Sequence, residues 1–334
     1  MSTYEIPVPL DEGISTVHFC PNNQKIISMT TWSGAIHLYD IESKEQIFNS
    51  TFNSPLICST FVDDNSGNDF STIAVGDTEG SIYLINSSSS TTLKWHTDGI
   101  SSLSIFPETG LLLSSSWDKT LALWNTSQSP ETSLIGHIDF NEKLMFASAC
   151  SENRIVAYGH RNTVFVLDVR NPDHIERRVS SLGKQIRSFC ISAPDHFGWA
   201  IGSIDGRVAI EYFGDIKHQA QRFSFSCNRH EEEEKTIVYP VSCLAFHPVT
   251  GILTSGSSKG SIYFWDIQNK RKLTEVQSPF NNSVAAIDYN KDGTLLAIAY
   301  SYTWEKGDIE HPEDRVLIYT PTAQNISLSH PAEK

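Results

Sequence analysis

Arg187, Arg207 and Arg229 are three arginines within the single stretch 185–230. The guanidinium group of arginine is planar and always charged, and it can donate two parallel hydrogen bonds to a carboxylate or a phosphate. Clusters of arginines recognise acidic or phosphorylated segments of other proteins. These three residues could do the same if the elements that carry them bring their side chains together.

The stretch around the arginines has the pattern of short β-strands. Apolar and polar residues alternate from Val208 to Tyr212 and again from Phe223 to Cys227, which is the period of a pleated strand. Gly206 and polar segments interrupt the pattern. We therefore predict four strands, at 186–191, 198–203, 207–213 and 222–227.

A meander of four antiparallel strands would bring the three arginines to one side. The turn between its second and third strands faces the same side as the chain entering the first strand and leaving the fourth. Arg187 begins the first strand, Arg207 follows the second turn, and Arg229 lies just beyond the fourth strand. The pattern therefore predicts that Arg187, Arg207 and Arg229 converge on one face.

The composition limits the classes of partner. The 334 residues include 25 Lys and Arg against 39 Asp and Glu, a net charge of −14. Nucleic acid is bound largely by neutralising phosphates, so this charge disfavours it as a partner. No apolar run is long enough to span a membrane, and the first residues lack the features of a secretory signal. The six cysteines show no CxxC spacing, so we expect buried, reduced thiols.

The same succession of strands and turns recurs seven times along the chain. The copies follow one another roughly every 40–50 residues, which is the period of four-stranded propeller blades. Trp265 and Asp266 form the Trp-Asp dipeptide of the WD-repeat family, which the whole chain resembles. We predict an all-β protein, a seven-bladed WD-repeat β-propeller in a single domain over 1–334, with an N-terminal strand at about 3–8 closing the last blade. Two polar segments are predicted to be loops, Ser87–Thr92 and His230–Lys235.

Features that could indicate catalysis have simpler interpretations. The segment Gly256–Gly260 matches the G-x-S-x-G nucleophile motif, but that motif needs a strand followed by a helix, whereas here it lies between two predicted strands. The histidines show no metal-binding spacing, and we expect His96 and His137 to brace blades. The sequence therefore predicts a protein that is not an enzyme, with no metal and no cofactor.

The tryptophans divide into two groups. Trp124 and Trp265 end third strands, where they are expected to pack inside a blade. Trp32 and Trp117 fall in the turn between strands two and three, on the side predicted for Arg207. An exposed aromatic side chain suggests a covering partner, and Trp and Arg are enriched at interface hot spots. We predict that Trp32 and Trp117 contribute to a peptide-binding surface, while burial within the blade remains the alternative.

Several segments carry a closer resemblance. They are Ser203-Ile-Asp-Gly-Arg-Val-Ala-Ile-Glu-Tyr212, Phe223-x-Phe-x-Cys-x-Arg229, Val238-Tyr-Pro-Val-Ser242 and Glu310-His-Pro-Glu-Asp314. These segments, and most of the chain, resemble the mitotic-checkpoint WD-repeat propellers of the Bub family. The related mRNA-export propeller of the nuclear pore shares the Gly-Arg-Val-Ala-Ile and Ala-Phe-His-Pro segments, so export remains the alternative function.

The resemblance implies a non-catalytic adaptor of the spindle assembly checkpoint. Arg187 and Arg229 would pair with glutamates of a GLEBS-type segment of a checkpoint kinase, and Trp32 and Trp117 would pack beside that segment. Arg207 would contact a phosphothreonine in the Met-Glu-Leu-Thr motifs of a kinetochore scaffold. The implied form is a monomeric propeller within a hetero-complex. Its implied location is the nucleus, and the kinetochore in mitosis, with some protein in the cytoplasm.

Two positions depart from the family pattern. Ser226 stands where the family commonly has a basic residue, and Asn228 stands in the usual Cys-His-Arg. The second basic contact to phosphate is then expected from Lys217 or Arg222. The sequence does not decide between these two helpers.

Overall fold

The computed structural model describes residues 3–10, 13–62, 70–214, 216–232 and 235–327. Within these ranges the chain folds into thirty β-strands, two one-turn α-helices and one 3-10 turn, so the predicted all-β class is confirmed. The described residues form two compact units, one of residues 18–180 and one of residues 1–17 with 181–334.

The first described strand, β1 (Thr3–Leu10), belongs to the second unit, and the first unit follows it in the chain. The first unit holds four four-stranded sheets, and the opening residues of its first strand fall in the second unit. The first two sheets consist of β2 (Ile14–Phe19), β3 (Ile26–Thr31), β4 (Ala35–Asp40) and β5 (Glu45–Thr51), and of β6 (Leu56–Phe61), β7 (Ile73–Asp77), β8 (Ser81–Ile85) and β9 (Ser90–Lys94). The other two consist of β10 (Ile100–Ile105), β11 (Leu112–Ser116), β12 (Thr120–Trp124) and β13 (Leu134–Asp139), and of β14 (Leu144–Ala149), β15 (Arg154–Gly159), β16 (Thr163–Asp168) and β17 (Ile175–Val179). A 3-10 turn, Ser151–Asn153, separates β14 from β15.

The second unit holds three more four-stranded sheets, a two-stranded hairpin and both helices. Its elements are β18 (Ile186–Ile191), β19 (Gly198–Ser203), β20 (Arg207–Tyr212), α1 (Ile216–Gln219) and β21 (Phe223–Ser226), the hairpin β22 (Arg229–Glu232) and β23 (Lys235–Val238), then β24 (Val241–Phe246), β25 (Leu253–Ser257), β26 (Ile262–Asp266) and β27 (Arg271–Val276), and finally β28 (Val284–Tyr289), β29 (Leu296–Tyr300), β30 (Asp314–Tyr319) and α2 (Ala323–Ile326).

The last sheet is completed by the N-terminal strand. Its order is β1-β30-β29-β28, and the antiparallel register runs from Thr3 opposite Tyr319 to Ile6 opposite Val316. This pairing covers the outer edge of β30, which would otherwise expose unpaired backbone groups. The predicted N-terminal strand is therefore observed as β1, while the organisation of 1–334 as a single domain stays a prediction.

The core explains why the middle strands are apolar on both faces. All six residues of β19 are buried, and β24 of the next sheet in the unit packs against β18 and β19. Val208 and Ile210 of β20, for example, share one apolar cluster with Leu253 and Trp265 of the next sheet. This stacking fixes the positions of the strand ends and of the turns that join them.

The two polar segments predicted to be loops form strands in part. Residues of Ser87–Thr92 enter β9, and residues of His230–Lys235 form most of β22 and the start of β23. The prediction was wrong because outer strands need little apolar sequence: β9 buries only Leu93 fully. Backbone pairing stabilises such edge strands whatever their side chains, as in the register of Arg229 opposite Val238.

Candidate functional site

The three arginines lie at one end of the sheet formed by β18 to β21. Ile186 at the start of β18 is opposite Ser203 at the end of β19, and Arg207 at the start of β20 is opposite Ser226 at the end of β21. Arg229 follows Ser226 by three positions and begins the hairpin strand β22. The strands match the predicted ones to within one residue at each end, so Arg187, Arg207 and Arg229 share one end of this sheet.

Arg187 occupies a β-bulge. Ile186 pairs with Ser203 and Ser188 with Gly202, so Arg187 is the extra residue between two pairs. A bulge turns a side chain out of the regular pleat and often does so beside functional sites. Five other sheets have a bulge at the same place, occupied by Ile57, Ser101, Met145, Ser242 and Ala285. Arg187 is the only charged residue among these six, it is exposed, and it pairs with no carboxylate that the structure describes.

Arg207 is held at the rim of the sheet by the turn before it. Its Nη2 donates to Ser224 Oγ at 2.9 Å, and its side chain is half-buried. The nearby carboxylates have other partners. Asp205 accepts from the hydroxyl of Ser203, and Glu211 accepts from the backbone N–H of Ser181 at 2.8 Å. In the described part of the chain Arg207 has no ion pair, so its remaining N–H donors are available to a ligand.

The Gly206 turn also fixes the start of the Arg229 hairpin. The carbonyl of Gly206 accepts the backbone N–H groups of Cys227 at 2.9 Å and of Asn228 at 3.3 Å. Gly206 has a φ of +69°, and a Cβ there would come within 3.0 Å of the Tyr239 carbonyl oxygen. Only glycine fits this close approach without strain. The turn that presents Arg207 and the hairpin that presents Arg229 are therefore one connected structure, and Arg229 is exposed on it.

Lys217 and Arg222 do not lie beside Arg207. Arg222 precedes Phe223, which is opposite Ile210, so it lies about 10 Å or more from Arg207 at 3.2–3.4 Å per strand residue. Lys217 lies in α1, beyond the other end of β20. Both residues are at the end of the sheet opposite to the arginines. The prediction that Lys217 or Arg222 contacts the phosphate beside Arg207 was wrong. The two residues are close to Arg207 in the sequence, but β20 leads away from Arg207 and β21 begins at the other end of the sheet.

The two turn tryptophans differ in exposure. Trp32, between β3 and β4, exposes 51% of its surface. Trp117, between β11 and β12, is half-buried, and a Cβ built on Gly99 would lie 2.6 Å from its Cε3 atom. The ring of Trp117 therefore packs closely on the Gly99 backbone. Trp32 has the exposure expected of a surface anchor, whereas Trp117 combines an exposed part with a packed one.

The other two tryptophans lie inside their sheets. Trp124 and Trp265 are 1% and 9% exposed, and each indole N–H donates to a serine hydroxyl, Ser114 at 2.8 Å and Ser255 at 2.9 Å. Their contacts are those of core residues, as expected from their places at the ends of third strands.

His96 braces its sheet through a buried network. Its Nδ1 lies 2.9 Å from Asp118 Oδ2, and its Nε2 lies 2.8 Å from the hydroxyl of Ser114. Burial alone would raise the pKa of Asp118, but hydrogen bonds from His96, Thr120 and the Thr97 backbone outweigh burial and hold that pKa well below its ordinary value. The expectation for His137 was wrong: it lies within the outer strand β13, half-exposed against Trp95.

The structure contains no arrangement typical of the G-x-S-x-G nucleophile motif in the ranges it describes. Ser258 lies in the turn between β25 and β26, and no helix follows it. Among the described residues no three His, Cys, Asp or Glu side chains group in a way that could hold a metal ion. All six cysteines are free, and burial raises the pKa of Cys150, for example, to about 12. No helix in the described ranges is both long and apolar enough to cross a membrane.

Sequence reasoning missed one exposed aromatic residue. Trp304 lies between β29 and β30, the place that Trp32 has in its own sheet, and exposes 57% of its surface. The signal was present, since Trp32 and Trp117 are also tryptophans between second and third strands. It was missed because the segment before β30 is long, so that Trp304 lies far along the chain from the next strand.

Comparison with known proteins defines the class. The family "WD domain, G-beta repeat" matches residues 87–125 and 232–266. The solved structures of U3-55K and of the RRP9 WD40 repeats each superpose with a TM-score of 0.80 at 17% identity, each covering 96% of this chain and, respectively, 98% and 97% of their own. Together with the seven four-stranded sheets, these matches identify the fold as a seven-bladed WD-repeat β-propeller.

Relatives in sequence identify the family. The mitotic checkpoint protein bub3 of Dictyostelium discoideum is 30% identical over 97% of this chain and 96% of its own length. The mitotic checkpoint protein BUB3.1 of Arabidopsis thaliana is 31% identical over 94% and 91%, respectively. A poly(A)+ RNA export protein of Schizosaccharomyces pombe is 27% identical over 91% and 85%. The chain belongs to the Bub3 family of spindle-checkpoint WD-repeat proteins.

Proposed function

We propose that this protein is a non-catalytic adaptor that recruits checkpoint kinases to kinetochores in mitosis. In this proposal Arg187 and Arg229 bind glutamates of a GLEBS-type segment of a kinase. Arg207 binds the phosphothreonine of a phosphorylated Met-Glu-Leu-Thr motif in a kinetochore scaffold. The names of the Dictyostelium and Arabidopsis relatives support the checkpoint role.

The observation that carries the proposal is the set of three unpaired arginines at one end of a single sheet. The protein has a net charge of −14, so its carboxylates outnumber its basic side chains. Arg187, Arg207 and Arg229 nevertheless pair with none that the structure describes. Leaving guanidinium groups unpaired in an acidic protein favours a role in binding an acidic partner, because such groups form strong bidentate bonds with carboxylates.

The roles of the arginines differ with their surroundings. Arg187 and Arg229 are exposed, as expected for residues that meet an extended acidic segment. Arg207 is half-buried and oriented by Ser224, which restricts the guanidinium to few directions. A restricted guanidinium loses less entropy when it meets a phosphate, which carries close to two negative charges and three acceptor oxygens. This difference supports Arg207 as the phosphate reader.

Trp32 and Trp117 complete the proposed peptide contacts. An exposed indole offers a large apolar area at low entropic cost, and tryptophan is among the residues that contribute most at protein interfaces. The exposure of Trp32 supports this role directly. The part of the Trp117 side chain that does not pack on Gly99 is exposed.

The alternative function is that of an adaptor in mRNA export. The similarity to the RNA export protein of Schizosaccharomyces pombe favours it. In that case the same arginines would hold a GLEBS-type segment of a nuclear-pore protein, and phosphate recognition by Arg207 would have no role.

A pull-down from mitotic cells distinguishes the two functions. The wild-type chain and the Arg187→Glu/Arg229→Glu double variant are each captured through a tag, and bound proteins are identified by mass spectrometry. We expect checkpoint kinases with the wild-type chain and their loss with the double variant. Nuclear-pore proteins in their place would support the export function, and equal recovery of kinases by both chains would exclude the arginine site.

A further inference from the structure

The segment between β29 and β30, residues 301–313, exposes two large apolar side chains. Trp304 exposes 57% and Ile309 43% of its surface, and both belong to the second unit together with the three arginines. We call this segment the Trp304 loop. Large apolar side chains exposed to water are unfavourable, and where several are exposed in one segment they mark a surface that a partner covers.

The Trp304 loop is held in place by its own contacts. The hydroxyl of the buried Tyr302 accepts the backbone N–H of Lys306 at 2.9 Å and donates to the carbonyl of Gly307 at 3.1 Å. The ring of His311 stacks on Tyr302 with centroids 5.0 Å apart. Trp304 itself has a φ of +61°, which is uncommon for a bulky residue. The indole is therefore displayed on a supported turn and is oriented before any partner arrives.

The charge of the Trp304 loop indicates what kind of side chain would cover Trp304. Asp308 and Glu310 are exposed and have no partner among the described residues. Glu313, by contrast, is already paired with Arg315 at 2.9 Å. A lysine or arginine side chain lying on the indole would gain a cation–π contact and the attraction of the two free carboxylates. No described basic residue of this chain stacks on Trp304, so the cation must come from elsewhere.

Hydrogen bonds connect the Trp304 loop to the arginine end of the β18–β21 sheet. Asn228, next to Arg229, donates its Nδ2–H to the carbonyl of Pro240 at 3.2 Å, and that carbonyl also accepts the N–H of Ser258 at 3.3 Å. Ser283 Oγ lies 2.9 Å from the carbonyl of Ser258 and 3.1 Å from the carboxylate of Glu305. This connection runs through three successive sheets of the same unit. A partner segment held by Arg229 can therefore continue along this rim to Trp304.

We propose that the Trp304 loop binds a lysine or arginine side chain of the same partner segment whose glutamates meet Arg187 and Arg229. This inference rests on the proposed function and adds a cation-binding subsite to it. The segment would then be recognised by charges of both signs, acidic residues at the arginines and a basic residue at Trp304. A purely acidic segment would gain nothing at the Trp304 loop, so the subsite selects among acidic partners.

The test is titration calorimetry of the full chain with a synthetic GLEBS-type segment of a checkpoint kinase. We expect Trp304→Ala to weaken binding at least about fivefold, as for a hot-spot aromatic residue. Glu310→Gln should weaken it less, and the effect should fade at high salt. Each lysine and arginine of the peptide is then changed to alanine in turn. One of these peptide changes should weaken binding to the wild-type protein but leave the affinity for the Trp304→Ala variant unchanged. That peptide residue is the side chain that meets the indole.

The control is Val249→Ala, which removes another exposed apolar side chain, 61% exposed, from the turn between β24 and β25 at the opposite edge of its sheet. It should leave the affinity unchanged. Binding that depends on Arg187 but changes less than twofold in Trp304→Ala would overturn this inference and leave the proposed function standing. If no basic residue of the peptide is coupled to Trp304, the inference is wrong, but the proposed function is not affected. If the wild-type chain does not bind the segment at all, both the proposed function and the inference are wrong.

Discussion

Ser226 lies directly opposite Arg207 in the antiparallel pair of β20 and β21. The Cβ atoms of such cross-strand pairs are about 4.5–5.5 Å apart, and the two side chains share one face of the sheet. Any ligand oxygen within reach of the Arg207 guanidinium is therefore also within reach of a long side chain at position 226. The serine leaves that position without a charge, so Arg207 is the only basic residue of this strand pair at this end of the sheet.

We predict that Arg207→Ala abolishes selective binding of a phosphorylated Met-Glu-Leu-Thr peptide. Wild-type protein should bind the phosphorylated peptide with micromolar or tighter affinity and the unphosphorylated peptide much more weakly. The reason is that the guanidinium forms charge-assisted bonds to phosphate oxygens, each worth about 1.5–3 kcal/mol. Fluorescence polarisation with the matched peptide pair measures the difference.

Arg222→Ala is the control for this experiment. Arg222 lies at the other end of β21 and is exposed, so its loss should leave both affinities unchanged. Equal affinity of the wild-type protein for the two peptides would exclude phosphate recognition.

Ser226→Lys should strengthen binding of the phosphorylated peptide. The added ammonium group would lie beside Arg207, and an exposed ion pair contributes about 0.2–1 kcal/mol, which corresponds to a gain of up to about fivefold. The same polarisation assay applies, run at low and at high salt because screening should reduce the gain. A gain that is equal for the unphosphorylated peptide would indicate general attraction to acidic peptides and no second phosphate contact.

Most of the arginine sheet could be predicted from the sequence. The period-2 alternation in β20 and β21 and the glycine at 206 were enough to place its strands to within one residue. The common end of the sheet for Arg187, Arg207 and Arg229 then followed from the geometry of a meander. The bulge at Arg187 could not be predicted, because it depends on how β18 pairs with β19 and leaves no mark in the alternation.

Other features of the site depend on contacts between segments distant in sequence. The packing of Trp117 on Gly99 is such a contact, and it makes one of two similar turn tryptophans half-buried. The hairpin of β22 and β23 forms through backbone pairing in a segment whose composition indicates a loop. The helper residues Lys217 and Arg222 were misplaced for a related reason: strand direction, and not distance along the chain, decides which end of a sheet a side chain occupies.

We expect Arg187→Glu and Arg229→Glu each to abolish binding of a GLEBS-type peptide without altering the fold. Breaking one side of an arginine–carboxylate pair that becomes desolvated on binding costs about 2–5 kcal/mol, and reversal of the charge adds repulsion. Isothermal titration gives the affinity. Lys291→Glu introduces the same change of charge at the turn between β28 and β29 and should bind normally. Near-native affinity in both arginine variants would remove these residues from the site.

The tryptophan variants should separate binding from stability. Trp32→Ala should weaken peptide binding by more than about 1 kcal/mol and leave the melting temperature nearly unchanged, because the side chain is half-exposed. Trp117→Ala should reduce both quantities, since its ring packs on Gly99. Trp265→Ala is the comparison for pure destabilisation, where the cavity should cost about 3–5 kcal/mol. A large loss of stability in Trp32→Ala would show that this residue has a structural role.

Asp118→Asn should destabilise the protein in a way that depends on pH. The carboxylate of Asp118 is the buried acceptor for His96 and Thr120, and hydrogen bonds to a charged group contribute about 1.5–3 kcal/mol. Its pKa is held below the ordinary value of 3.8, so its contribution is fully present above that value and is lost as the pH falls towards the folded-state pKa. Urea unfolding of both proteins should therefore show a difference in the free energy of unfolding that is largest near neutral pH and becomes smaller below about pH 4.

Asp308→Asn is the control, because it removes an exposed carboxylate with no described partner. Its free energy of unfolding should differ little from that of the wild-type protein at any pH. A difference for Asp118→Asn that stays constant down to pH 3 would mean that its charge does not stabilise the His96 network.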